Sequence, residues 1–123
     1  MARCKIAIAT NSLGKSIAGH DITRKLEVAK AHGFEGVEVA IECLEAHAAS
    51  FAGHGAARAD RLRAAAKDVF LTASALSLII IGLQPFGAYD GLKDPLDIDL
   101  RFQEADLWLQ ICQIMKATFL QVY

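Results

Sequence analysis

Cysteine is sparse in this chain and does not pair. Cys4, Cys43 and Cys112 are odd in number and far apart, and no C-x-x-C occurs. A disulfide scaffold or a zinc framework is therefore disfavoured, and reduced thiols in a cytoplasmic protein fit best. Charge of one sign is also missing. The net charge is −1, which leaves no basic footprint for nucleic acid and no polybasic signal for a membrane surface. The longest apolar stretch, residues 69–83, is broken by Thr72, Ser74 and Ser77. It is shorter than the roughly 20 residues that a spanning helix needs. The first residues do not lead into a signal h-region. No low-complexity segment or linker divides the chain, and Gly14 and Gly19 do not fit the G-x-G-x-x-G of nucleotide-binding sheets.

What is present is apolar. The hydrophobic share is 54% and the mean hydropathy +0.30, against about 45–50% apolar in ordinary globular domains. At 123 residues the chain is one domain, 1–123, long enough to bury a real core. So apolar a chain is either unusually buried or carries faces meant for a partner or for further sequence.

The apolar residues fall into a repeat. Four times a strand runs into a polar tip, at residues 5–10, 36–40, 78–84 and 119–123. Between the tips the 3.6 period predicts helices at 22–32, 57–76 and 99–116. Asp21 is placed to cap the first, and Gly33 to end it. Residues 41–55, rich in Ala, His and Gly, are expected to be irregular or partly helical. Ser77 is the expected break before the third strand. Leu100, Leu107, Trp108, Ile111, Cys112 and Met115 are the expected buried stripe of the last helix. The continuous run 78–83 predicts a strand covered on both faces. The order β-α-β-α-β-α-β implies parallel strands with right-handed crossovers. It fits either half of a TIM barrel or a small doubly wound sheet, and in both the chemistry sits at the strand tips. The series reads as unfinished, because no helix follows the fourth tip.

Several tip residues are candidates for function. Glu38 is a carboxyl inside an apolar strand, where it must be solvated, paired or bound to something. An outward-facing residue on a half-exposed strand is the alternative. The functional reading is preferred because parallel strands are seldom half-exposed. Its role is then a metal contact, support of a ligand, or a hydrogen bond to substrate. Gln84 ends the third strand where Pro85 stops the ladder, and its amide can donate and accept. A capping contact to a neighbouring loop competes with that role. His20 can meet an anion or shuttle a proton, or simply be a hydrogen-bonded loop histidine. Tyr89 can close over a ligand or pack its own loop. His32 suits the end of its helix, while His47, His54, Glu42 and Glu45 are expected to be solvated. No His/Asp/Glu set makes a convincing metal site.

Four segments carry a resemblance in order. They are Ser12-Leu13-Gly14 with Ala18-Gly19-His20, then Gly33-Phe34-Glu35-Gly36-Val37-Glu38. Leu83-Gln84-Pro85-Phe86 with Tyr89-Asp90-Gly91-Leu92 follows, and then Phe119-Leu120-Gln121-Val122. Together they resemble the N-terminal half of the fungal 3-dehydroshikimate dehydratases, in the xylose isomerase-like superfamily of TIM barrels. The resemblance implies a fold of α/β class, the N-terminal half of a (β/α)8 barrel with four parallel strands and three crossover helices. It implies a divalent-metal lyase (Mg²⁺, Mn²⁺ or Co²⁺) of quinate catabolism, which turns 3-dehydroshikimate into protocatechuate and water. The metal ligands of such enzymes lie on later strands, so none is expected on this chain, and by itself the chain is expected to be inactive. What carries over is a substrate wall of Glu38, Gln84, His20 and Tyr89. Lys15, Asp90 and Ser77 depart from the family pattern, and residues 46–57 match it weakly. Two other readings remain. One is an interaction module that pairs with itself or with a separate second half through open barrel edges. The other is a piece of a sugar phosphate isomerase or epimerase.

Overall fold

The computed structural model describes residues 3–51, 56–88 and 90–123. Its frame is a parallel sheet of four strands in the order β1-β2-β3-β4. The strands are β1 (Ala7–Ala9), β2 (Gly36–Ala40), β3 (Ile79–Phe86) and β4 (Phe119–Val122). Four helices connect them: α1 (Ile22–Ala31), α2 (Ile41–Phe51), α3 (Arg58–Ala75) and α4 (Pro95–Met115). Among the described residues, no helix is long and apolar enough to cross a membrane.

The ends of the elements follow local chemistry. Asp21 caps α1 by accepting from the Arg24 N–H at 3.0 Å, and Gly33 turns the chain at φ +87°. Ser77, at φ 56°, makes the break before β3. Asp94 accepts from the Leu96 N–H at 2.9 Å. Pro95 takes the first helical position, where its missing N–H costs nothing. The last helix therefore starts at Pro95, four residues before the expected start at 99.

Other expectations need correction. The first strand is shorter than residues 5–10, because Thr10 already begins a 3₁₀ turn over Thr10–Leu13. Of the two readings of residues 41–55, the partly helical one holds: residues 41–51 form a helix that follows β2 directly. Ala and Leu favour helix, and Cys43, Leu44 and Ala48 are all buried against the core. The third strand does not stop at its proline: the Gln84–Pro85 peptide is cis and the strand runs on to Phe86, which pairs with Val122. Leu100 is not in the buried stripe. It is 53% exposed and lines an open groove with Arg58 and Arg63 from the start of α3.

Burial is one-sided. Val37, Val39, Ile80 and Leu83 point into the helical layer and meet Leu26, Leu44, Leu62 and Ile111. Each such side chain contributes about 1.5–3 kcal/mol by leaving water. Phe86 meets Trp108 of α4 edge-on, with ring centroids 5.1 Å apart. Among the described residues no helix lies on the opposite face, where Ile79 is 49% and Phe119 43% exposed. The expected cover of β3 on both faces is thus not found.

An ion cluster ties the helices together outside the core. Arg58 of α3 donates to Glu104 of α4 at 2.9 Å and to Glu45 of α2 at 2.6 Å. The Trp108 indole N–H adds a bond to Glu104 at 2.9 Å. The Arg58 hydrogen bond, aided by Trp108 and opposed by burial, holds the Glu104 carboxyl below its ordinary range.

The packing separates two leucines of similar helical context. Leu44→Ala should cost about 2–5 kcal/mol by opening a cavity in the core. Leu100→Ala should stay within about 0.5 kcal/mol, as surface substitutions do. Urea unfolding of both variants checks this. A loss at Leu100 as large as that at Leu44 would contradict the described packing.

Candidate functional site

The site is built where the first three strands end. Thr10, fully buried just past β1, accepts from the Ala40 N–H at 2.9 Å through Oγ1. This bond satisfies the last backbone donor of β2 and pins the first tip against the second. One residue on, Asn11 accepts through Oδ1 from Gln84 Nε2 at 3.2 Å. The bond reaches from the first tip to the third across the end of β2. Asn11 and Thr10 read in the sequence only as turn and strand-end residues. A polar residue directly after an apolar strand was the one signal that marked them.

Glu38 lies between these tips. In register it faces Ala9 of β1 on one side and Gly82 of β3 on the other. Strand alternation puts Val37 and Val39 into the helical core and Glu38 on the uncovered face. Its neighbours in the row, Ala9 and Gly82, are small. A side chain at Gly82 would collide with the Phe119 ring, which lies across that position. Glu38 itself is half-buried. Its Oε1 is enclosed and has no hydrogen-bond partner among the described residues. An enclosed acceptor left unpaired costs about 1–3 kcal/mol.

The remaining candidates fall elsewhere. His20 is exposed in the loop between β1 and α1, with its ring laid against Gly14. Gly14 sits at φ +110°, and a Cβ there would come within 2.6 Å of His20 Cδ2. His20 shares neither the Asn11 nor the Thr10 contact. Tyr89 lies outside the described residues, as does His54. His32 donates from Nδ1 to the Val28 carbonyl at 2.9 Å. His47 is not simply solvated: its Nε2 is 2.7 Å from Asp68 Oδ2 and its side chain is only 14% exposed, because α2 packs on α3 there. Glu45 and Glu42 are likewise engaged, with Arg58 and with the Ser16 N–H.

The arrangement offers three polar groups on a bare sheet face. One is an unpaired carboxyl oxygen. The others are the Gln84–Asn11 carboxamide pair at the strand ends. Such a set can take hydroxyl and carbonyl groups of a small polar ligand. Among the described residues, no group of three or more His, Cys, Asp or Glu side chains can hold a metal ion.

Comparison with known proteins gives a consistent picture of the fold. No family model matches the chain. Over 122 residues, 96% of its length, the chain is 30% identical to the 3-dehydroshikimate dehydratase of Neurospora crassa. It spans about a third of that protein, 34% of its length. A xylose isomerase-like TIM barrel/4-hydroxyphenylpyruvate dioxygenase fusion protein of known structure superposes with a TM-score of 0.73 at 23% identity. That match covers 98% of this chain and 16% of the fusion protein. The four parallel strands and their helices thus form a fragment of a TIM barrel, and the uncovered face corresponds to the inside of such a barrel.

The unpaired Glu38 oxygen generates a stability prediction. Glu38→Leu removes an unsatisfied polar atom and keeps about the same bulk. It should raise stability by about 1 kcal/mol, read as a higher urea midpoint at unchanged slope. A lower midpoint would mean that the Glu38 carboxyl is satisfied in the folded protein.

Proposed function

We propose that this sheet face is the substrate wall of a 3-dehydroshikimate dehydratase-type lyase. The observation that carries the reading is the enclosed, unpartnered Glu38 oxygen beside the Gln84–Asn11 pair. It lies on the open face of a barrel fragment that is similar in sequence to such a dehydratase. A group that costs stability and does nothing for packing is best explained by a ligand. 3-Dehydroshikimate carries a ring ketone, hydroxyls and a carboxylate. Glu38 accepts a hydrogen bond from a ring hydroxyl, and the Gln84 amide, already oriented by Asn11, donates to a carbonyl or carboxylate oxygen. These bonds fix the ring while a base removes the proton next to the ketone, water leaves and the ring becomes aromatic.

A divalent metal is expected in the full-length relative, where it would steady the developing enolate. The residues described here do not fit such a centre by themselves. A hard divalent cation takes about six or more oxygen ligands, and Glu38 supplies one free carboxyl oxygen. The roles of Glu38 and Gln84 are therefore binding and orientation.

It follows that the chain binds without turning over. Adding it to 3-dehydroshikimate with Mg²⁺, Mn²⁺ or Co²⁺ should yield no protocatechuate absorbance above a metal-only control. Calorimetry should detect binding that weakens about tenfold in Gln84→Ala, for loss of roughly one hydrogen bond of about 1.4 kcal/mol. Turnover would overturn the proposed inactivity. Absence of binding would overturn the proposed wall.

A second reading rests on the sheet edges. β1 pairs only with β2, and β4 only with β3. Ile6 at one edge and Val122 and Tyr123 at the other are 51%, 52% and 73% exposed. An apolar groove of about 540 Å³ runs beside β4, between Leu120, Phe102 and Leu109. The occupant we propose is a second copy of the chain. A two-fold axis along the strands sets β4 of each protomer against β1 of its partner, so both edges close at once into eight parallel strands. Light scattering should then report a dimer. A stable monomer would count against it and leave the groove to a different partner.

A further inference from the structure

Away from the open face, α1 and α2 enclose an amine and a thiol that the proposed wall does not use. Lys25 stands in the buried stripe of α1 with Ile22, Leu26 and Ala29, and is 2% exposed. Cys43, in the first turn of α2, is 1% exposed. Lys25 Nζ lies 3.1 Å from Cys43 Sγ and 3.3 Å from Ser16 Oγ. No ion pair among the described residues includes Lys25. A lysine so deeply buried without a carboxylate is costly, and an apolar side chain would serve the core better. What the lysine provides is a nucleophilic nitrogen held against sulfur.

We propose that Lys25 and Cys43 are the site of a redox-made covalent link, a sulfenamide between Nζ and Sγ that ties α1 to α2. The oxidant is a peroxide, small enough to reach a covered thiol during local opening. Sulfur attacks one peroxide oxygen and the O–O bond breaks. The thiol becomes a sulfenic acid, and the other oxygen leaves as water. The Lys25 nitrogen lone pair then attacks the oxidised sulfur. The S–O bond breaks, and its oxygen leaves as a second water with a proton from the amine. Sulfur has given two electrons to the peroxide, and the product is Cys43–S–NH–Lys25. A thiol reductant reverses it by attack on sulfur, which returns the amine.

The other cysteines lack this partner. Cys112 is buried, which pushes its thiol up, and its contact is the Phe119 carbonyl at 4.0 Å. Cys4 is exposed near the start of the chain. The link has a structural consequence. A covalent S–N bond is much shorter than the present separation, so Nζ must draw away from Ser16 Oγ. Ser16 opens the 3₁₀ turn Ser16–Ala18 in the loop that carries His20. The remaining tether is the Ser16 N–H bond to Glu42 Oε1 at 3.2 Å. Oxidation thus loosens the loop after β1.

The test uses the full chain carrying Cys4→Ser and Cys112→Ala, so that no disulfide can mimic the mass change. After hydrogen peroxide treatment, intact mass should fall by two hydrogens. Digestion should give one linked peptide pair containing Lys25 and Cys43, and dithiothreitol should restore the starting mass. Adding Lys25→Met should abolish the link and let Cys43 gain oxygens instead. If the double variant does not fold, the same peptide mapping on the unsubstituted chain decides, since a linked pair with a single cysteine cannot be a disulfide. Oxygen gain at Cys43 with the lysine intact overturns the proposal. So does a Cys43 that stays reduced, in the unsubstituted chain, under peroxide that fully oxidises Cys4.

Discussion

Val37 and Val39 are fully buried under the helices, and Glu38 between them points the other way. That alternation is the constraint on which the molecule depends. A strand shows its two faces to two environments, and here only one of them is a core. The helices α1 to α4 bury the valine side with leucines and isoleucines from every element. The other side keeps its small residues, its glutamate and its exposed Ile79 and Phe119. In a closed barrel that side would be interior. One-sided burial accounts at once for the high hydropathy and the exposed edges.

The polar contacts at the tips are organised by the same sheet. Parallel register brings Ala9, Glu38 and Gly82 into one row. The next row outward joins Thr10 to Ala40 and Asn11 to Gln84. Two hydrogen bonds thus join the tips beside the unpaired Glu38 oxygen. Below the tips, Lys25 and Glu42 both hold Ser16, so the loop after β1 is anchored from two helices. The open face and the α1–α2 contact are therefore linked through one short loop.

Local signals were legible where the chemistry is local. The cap at Asp21, the turn at Gly33 and the break at Ser77 depend on neighbours within a few residues, and each stands where residue type placed it. Glu38 and Gln84 stood out because a polar residue in an apolar strand needs an explanation. Residues 41–51 were harder, because alanine and histidine give no clear face until Cys43, Leu44 and Ala48 meet the core. Leu100 misled for the opposite reason: its spacing was right for the stripe, but it faces an open groove lined by Arg58 and Arg63 and stays half-exposed.

By itself the sequence determined the order of the four strands and of three of the four helices, the parallel sense of the strands and the polar character of each tip. These follow from periodicity and from turn residues, which act over a few positions. Only the tertiary structure decided which partner each polar group has. The Gln84–Asn11 bond spans 73 positions and the Ala40–Thr10 bond 30. The burial of Lys25 against Cys43 joins two helices that share no pattern. The apolar run 78–83 also implied a third strand covered on both faces. That failed because cover depends on what packs above a strand, which no run of apolar residues encodes.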